Sequence, residues 1–506
     1  MNAGNLLLIN PTITSRRSAR FPLAIMSLAT ALEEHGYSTR LIDGNVDRDF
    51  VATTRRALSE SRFDAVGVTV MGGPQVPTAM AVSQAIREVA PSTPIVWGGY
   101  FPTICPTPAV TAPFVDYVVR AQGEETFREL LAALAAGGRG LEAVAGLSFK
   151  RDGQPVHNND RPFSAARLVR PLPYHRLENP QQYLGYTYLG RRTAGYQAAF
   201  GCRFRCTFCG VATMFKGKTA LPAAQRLDED LRYFTRELGV DALQFYDHNF
   251  FDREEDMMPL LEVLADYQLP WWCFARSDAL VNLSAAAWGL VRRSGLRMAY
   301  IGAETPNDAM LHDIRKGTNS DQTLEAVEVC RRNGVLPELS FMLAPPDDPE
   351  GETEKAFRFI REIKRVHPGT EVMLYIYTPL PPSDHDRAKQ HPRKLRNAAA
   401  LRDVNGAPVE FPRTVQEWTQ PKWVRYWCHR DAPWLTDRLR RRIHDFTTVL
   451  GCRFPTIIDV RSAPFAKRAL RLLSSWRYRY ERYDRPWELN LSKRFVKLHD
   501  PRAASL

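Results

Sequence analysis

Three cysteines stand within eight residues, in Gly201-Cys202-Arg203-Phe204-Arg205-Cys206-Thr207-Phe208-Cys209-Gly210. The spacing is C-x3-C-x2-C, directly after an apolar run. Thiolate is the metal-binding form of cysteine. Three thiolates on one tight loop can wrap a corner of a cubane 4Fe-4S cluster, which ordinarily takes four ligands. With three supplied, one iron stays open to chelate a small molecule. Zinc and coincidence are the weaker alternatives, because zinc sites pair such an arm with a second arm or with distant histidines. The other five cysteines, at 105, 273, 330, 428 and 452, are scattered and read as buried thiols. This usage does not fit a secreted disulfide framework, and a reducing cytoplasm suits it better.

The elements that must position this loop follow from hydropathy patterning. Over residues 1–150, short apolar runs (5–10, 38–43, 65–70, 94–97, 116–119) alternate with helical patterns (24–36, 78–89, 124–134). The first run carries no basic segment ahead of it and reads as a strand rather than a signal peptide. Alternation of this kind predicts an α/β domain, a doubly wound Rossmann-like parallel sheet whose strand ends form a ligand crevice. Residues 151–194 are polar and contain prolines, as in a linker with a small strand pair. Residues 195–385 alternate again, with strands at 196–200, 242–246, 271–274, 298–302, 336–343 and 372–377. Six strand–helix repeats predict a partial (β/α)6, TIM-like barrel with its ligands at the C-terminal strand ends. Residues 386–506 read as a mainly helical region rich in Arg, Trp and Tyr, including helices at 435–449 and 463–483.

The cysteine spacing, the strand before it and Phe208 ahead of the third cysteine resemble the radical SAM superfamily. The resemblance implies that the open iron binds the amino and carboxylate groups of S-adenosylmethionine (SAM). An electron from the cluster then splits the S–C5′ bond to give a 5′-deoxyadenosyl radical. Tyr246-Asp247-His248, Arg276, Gly302-Ala303-Glu304 and Lys316-Gly317 fall at the later strand ends. Phe208, Asp247, Arg276 and Glu304 are therefore candidates for binding SAM, each also readable as a structural ion pair or helix cap. His248 reads as a proton relay or as a satisfied turn histidine.

Residues 1–150 resemble the cobalamin-binding domain that precedes the barrel in one radical SAM class, which includes anaerobic Mg-protoporphyrin ester cyclases and cobalamin-dependent methyltransferases. The carriers are Thr69-Val70-Met71-Gly72-Gly73, Trp97-Gly98-Gly99-Tyr100-Phe101-Pro102-Thr103, and Gln122-Gly123-Glu124. The cobalamin-binding candidates are Thr69, Gly72, Gly73, Gly98, Gly99, Thr103, Gly123 and Glu124. The D-x-H-x-x-G loop that supplies a cobalt-ligating histidine in many such domains is missing. Cobalamin is then expected without a histidine lower ligand. The alternative is a flavodoxin-like scaffold that no longer binds it.

From His385 onward the chain carries 27 Lys and Arg against 12 Asp and Glu, +15, which leaves the rest at −3 of the total +12. Arg438 to Arg442 and the alternating Trp476-Arg477-Tyr478-Arg479-Tyr480 suit a solvated helical cap or an anionic membrane face. A nucleic acid is not the expected partner, since no RNA module accompanies the basic stretch. No run of about 18 apolar residues is present to span a bilayer. The resemblance implies methylation of an unactivated carbon, or alternatively oxidative cyclisation or rearrangement. It also implies an external electron donor such as a flavodoxin or ferredoxin. The substrate is expected to be a small or lipid-like molecule, and the protein cytoplasmic, with membrane association from the cytoplasmic face. A cluster-bearing electron carrier or redox sensor is the reading from another class.

Overall fold

The computed structural model describes residues 3–164, 172–221, 224–382, 400–456 and 464–493. The first sheet contains β1 (Gly4–Asn10), β2 (Tyr37–Asp43), β3 (Ala65–Thr69), β4 (Ile95–Gly98), β5 (Tyr117–Val119), β6 (Leu147–Arg151) and β7 (Gln154–His157). Its order is β2-β1-β3-β4-β5-β6-β7, parallel through β5 and antiparallel for the last two strands. Alternation along β1 explains the double winding. Leu6 and Leu8 pack with the helices Leu23–Glu33 and Gly123–Ala135, while Leu7 and Ile9 pack with Gln75–Val89 on the other face. A strand pair is expected within 151–194, but the pair β6–β7 starts at Leu147, ahead of that boundary, and extends the N-terminal sheet.

The second sheet holds β8 (Thr193–Tyr196), β11 (Ala242–Phe245), β12 (Trp271–Ala275), β13 (Leu296–Glu304), β14 (Leu336–Leu343) and β15 (Glu371–Ile376). All neighbours are parallel, in the order β15-β14-β13-β12-β11-β8, and β15 does not pair with β8, so the sheet does not close. The two short strands β9 (Phe200–Gly201) and β10 (Thr219–Ala220) pair antiparallel beside it. One expectation needs correction. The sequence predicts the first barrel strand at 196–200, but the ladder with β11 ends at Tyr196. The backbone N–H groups of Ala198 and Ala199 turn instead to the carboxylate of Asp247.

The helices Val415–Trp418, Pro421–Trp427, Asp437–Arg453, Pro464–Arg479 and Trp487–Lys493 form the C-terminal region. The expected boundary at 385/386 lies outside the described residues. This region shares the main core with both sheets. Phe357 stacks on Phe446 at 3.7 Å, and Phe101 meets Trp418 edge to face at 6.1 Å.

Candidate functional site

The three cysteines lie on the loop between β9 and β10. The Gly201↔Thr219 and Phe200↔Ala220 pairs clamp its base. Gly201 has φ +83°, and a Cβ there would meet the Lys218 carbonyl at 2.2 Å, so the clamp requires glycine. Inside the loop, Cys209 N donates to Cys206 O at 3.2 Å, and Thr207 N donates to Ile314 O at 2.9 Å. All three thiols are free; Cys206 is buried and the other two are half-buried. Burial raises each thiol, Cys202 to about 11. Backbone N–H groups work against that: Phe204 donates to Cys202, and Val211 and Ala212 to Cys209. Lys316 and Arg276 do the same for Cys206 through charge. A negatively charged, thiolate-bound cluster is served by this donor set, so the residues fit the group. Among the described residues, no three His, Cys, Asp or Glu side chains gather as they would around a single ion.

The strand ends supply the surroundings. Lys316 Nζ pairs with Glu304 Oε1 at 2.7 Å, and both side chains are buried. The pair lies over Gly302, where a Cβ would meet the Glu304 and Lys316 tips at 2.3 and 2.6 Å. Arg276 sits 3.5 Å over the Phe204 ring, holds Asp278 through two nitrogens and donates to the Lys316 carbonyl. Asp247 is buried, with both oxygens on the Ala198 and Ala199 N–H groups; burial pushes its carboxyl up to about 7 against those bonds. In this structure Asp247 therefore steadies the approach to Cys202. His248 is neutral, since burial lowers it to about 4, and its buried Nδ1 has no hydrogen-bond partner. Phe208 is half-buried one residue before Cys209. Backbone strain concentrates here. Glu304, Arg315 and Ala344 have φ of +61°, +55° and +55°, conformations that non-glycine residues hold only when their surroundings impose them.

The N-terminal strand ends abut the cysteine loop. Tyr100 lies directly on Gly210, where a Cβ would meet its hydroxyl at 2.0 Å, and the Gly210 N–H bonds the Tyr100 oxygen. Gly99, at φ +96°, packs on Thr69 and Val70, and Thr103 donates to the Gly99 carbonyl while accepting from Ala121 N. Gly73 has φ +75°, and Gly98 and Gly123 keep ordinary clearance. Glu124 accepts from Ser27, and its second oxygen is buried and unpartnered. Met71 is 45% exposed at the end of β3. The orphaned Glu124 oxygen and the open Met71 fit a bulky polar ligand at this edge. No histidine occurs in the loops after β1 to β5.

The sequence reading missed the third wall. Trp427 covers Gly72, with a Cβ there meeting its ring at 2.3 Å, and Cys428 lies on Gly73. The carbonyl of His429 accepts from Ile376 N, and its ring bonds Thr378, just past the end of β15. His429 also has φ +54°. Trp434 Nε1 donates to the strained Ala344 at 2.8 Å. The density of aromatics in Trp423-Val424-Arg425-Tyr426-Trp427-Cys428-His429 was the available signal.

Comparison with known proteins agrees with this division of labour. A B12 binding domain model matches residues 10–131, and a radical SAM superfamily model matches residues 196–360. An uncharacterized methyltransferase of Pyrococcus horikoshii is 25% identical over 368 residues, 70% of this chain and 78% of the relative. An anaerobic magnesium-protoporphyrin IX monomethyl ester cyclase of Synechocystis is 25% identical over 345 residues, 65% of this chain and 67% of the relative. Among solved structures, the cobalamin-dependent S-adenosylmethionine radical enzyme OxsB superposes with a TM-score of 0.66 at 16% identity, covering 97% of this chain and 75% of that one.

Proposed function

We propose, from the premise that this chain joins a B12 binding domain to a radical SAM domain, that it is a cobalamin-dependent radical SAM enzyme that methylates an unactivated carbon. When bound, the 4Fe-4S cluster opens SAM reductively to a 5′-deoxyadenosyl radical, and cobalamin carries the methyl group that a substrate radical collects. Cys202, Cys206 and Cys209 would hold the cluster, and the Phe204, Val211 and Ala212 N–H groups would support its charge. The buried Lys316–Glu304 pair and Arg276 lie beside Cys206, where an amino acid's ammonium and carboxylate would find opposite charges. Thr69, Gly98, Gly99, Gly123 and Glu124 would hold the cobalamin, and the lack of histidine in the strand-end loops argues for an unligated lower face. Trp427 and Trp434 exclude water from the third side.

The observation that carries this reading is the Tyr100–Gly210 contact, which brings the B12-domain edge against the residue after Cys209. The methyltransferase relative favours methyl transfer, while the cyclase relative keeps oxidative cyclisation as the second reading. Product analysis separates them. Methylation releases S-adenosylhomocysteine beside 5′-deoxyadenosine and methionine; cyclisation releases 5′-deoxyadenosine and methionine without S-adenosylhomocysteine. A cluster that binds SAM but never cleaves it under reduction would support an electron carrier instead. Turnover calls for an external donor such as a flavodoxin or ferredoxin, and the basic C-terminal helices suit contact with an anionic membrane face.

A further inference from the structure

Resting on that reading, we infer that the inner face of the six-stranded sheet is the substrate cavity, and that it receives a planar, apolar ring system carrying a polar substituent. Barrel interiors are ordinarily closed by layers of branched aliphatic side chains. Here much of the inward face is aromatic, with Tyr246 just past β11, Trp272 and Phe274 on β12, Tyr300 on β13 and Tyr375 on β15, beside Gln244, Met298, Glu338 and Met342 in register with them. Their rings run across the sheet in contact, 6.3 Å from Tyr246 to Trp272, 4.6 Å from Trp272 to Phe274 and 5.1 Å from Phe274 to Tyr300. The Tyr300 hydroxyl then donates to that of Tyr375 at 3.0 Å.

The opposite faces of these strands are sealed, with Leu243, Cys273, Ala299 and Leu339 all at 0% exposure. Tyr246, Phe274, Tyr300 and Tyr375 are only half-buried. The wall therefore keeps accessible surface although its strands lie in the middle of the core. Aromatic walls favour flat partners through stacked and edge-to-face contacts, and a concave apolar site with a few convergent polar groups is the usual form of a small-molecule pocket. The polar groups lie toward the start of β14. Glu338 accepts from Trp272 Nε1 at 3.0 Å, and the Tyr188 hydroxyl nearby is buried without a hydrogen-bond partner. An unpaired buried hydroxyl is costly, and a ligand's polar atom would relieve it.

The test uses 2-naphthol and decahydro-2-naphthol, which share a carbon skeleton and a hydroxyl but differ in planarity. Equilibrium dialysis against anaerobically reconstituted, full-length protein should show one equivalent of 2-naphthol retained at least tenfold more tightly, with or without saturating SAM. Phe274→Leu should remove most of that preference. Equal retention of the two probes, no saturable retention of either, displacement of 2-naphthol by SAM, or a preference untouched by Phe274→Leu would each overturn the assignment. Cluster absorbance and reductive SAM cleavage, measured on the same samples, report separately on the underlying reading. With both intact and no preference, the cavity assignment alone fails. With no cluster, the radical SAM reading fails while the dialysis still judges the cavity.

Discussion

Cys206 is the buried member of its triad, and the cationic side chains Lys316 and Arg276 act on it. Replacing it with Ala should bring iron and sulfide in anaerobically reconstituted protein to background and abolish reductive SAM cleavage. Retention of a 4Fe-4S spectrum in Cys206→Ala would remove the basis of the assignment. Glu338 gives a second residue-level prediction. Burial, then the neighbouring Glu371, raises its carboxyl from 4.5 to about 7. A carboxyl raised on folding binds its proton more tightly in the native state. Its stabilising contribution is thus full below 4.5 and fades as pH climbs through 7. Glu338→Gln keeps the acceptor for Trp272 and removes the charge. Its urea midpoint should exceed that of the parent at pH 8, by an amount worth roughly 3 kcal/mol at most, and converge on it only below the unfolded value of 4.5. A gain of equal size above and below that value would point to packing instead of ionisation.

At the scale of elements, the cysteine loop is fixed by two glycines, Gly201 at the β9–β10 clamp and Gly210 under Tyr100. Gly210→Ala should push Tyr100 off the loop, destabilise the fold by ~1–3 kcal/mol as overpacking does, and lower bound cobalt. Tyr100→Ala in the same chain should recover part of the stability, because the two changes share one contact. Simple addition of the two losses in urea unfolding would show that the contact is unimportant. Strand and helix periods made most of this scaffold legible, down to β14 at residues 336–343. The strand before the cysteines was misplaced because Ala198-Ala199-Phe200 continues an apolar run. The distant Asp247 carboxylate takes the Ala198 and Ala199 N–H groups out of the ladder, and Phe200 pairs with β10 instead. The cysteines were legible because their spacing is local. Trp427, Cys428 and His429 were not, because their roles arise from docking on Gly72, Gly73 and Thr378, far away in the chain.

For the molecule as a whole, one core runs through all three regions, so the C-terminal helices are part of the fold rather than an appendage. Their outer surface is another matter. Leu472, Leu473, Trp476, Tyr480, Trp487 and Leu491 are each between 46% and 71% exposed. Positions 472, 473, 476 and 480 recur at helical spacing. Exposed Arg468, Arg471, Arg479, Arg482 and Arg485 surround them. No helix among the described residues is long and apolar enough to cross a membrane. The membrane contact proposed above would use this basic, apolar face, lying on the bilayer surface. Each Lys or Arg near an anionic leaflet contributes about 1 kcal/mol, screened by salt. Full-length protein should therefore co-sediment with phosphatidylserine-containing vesicles, much less with pure phosphatidylcholine, and should be released progressively as salt rises. The double variant Leu472→Asp/Trp476→Asp exchanges two exposed apolar groups for negative charge and should abolish binding while leaving cluster content unchanged. Indifference to lipid charge, or anionic-vesicle binding that survives the double variant, would show that this face does not meet membranes and that its Arg residues serve only to keep the helices in solvent.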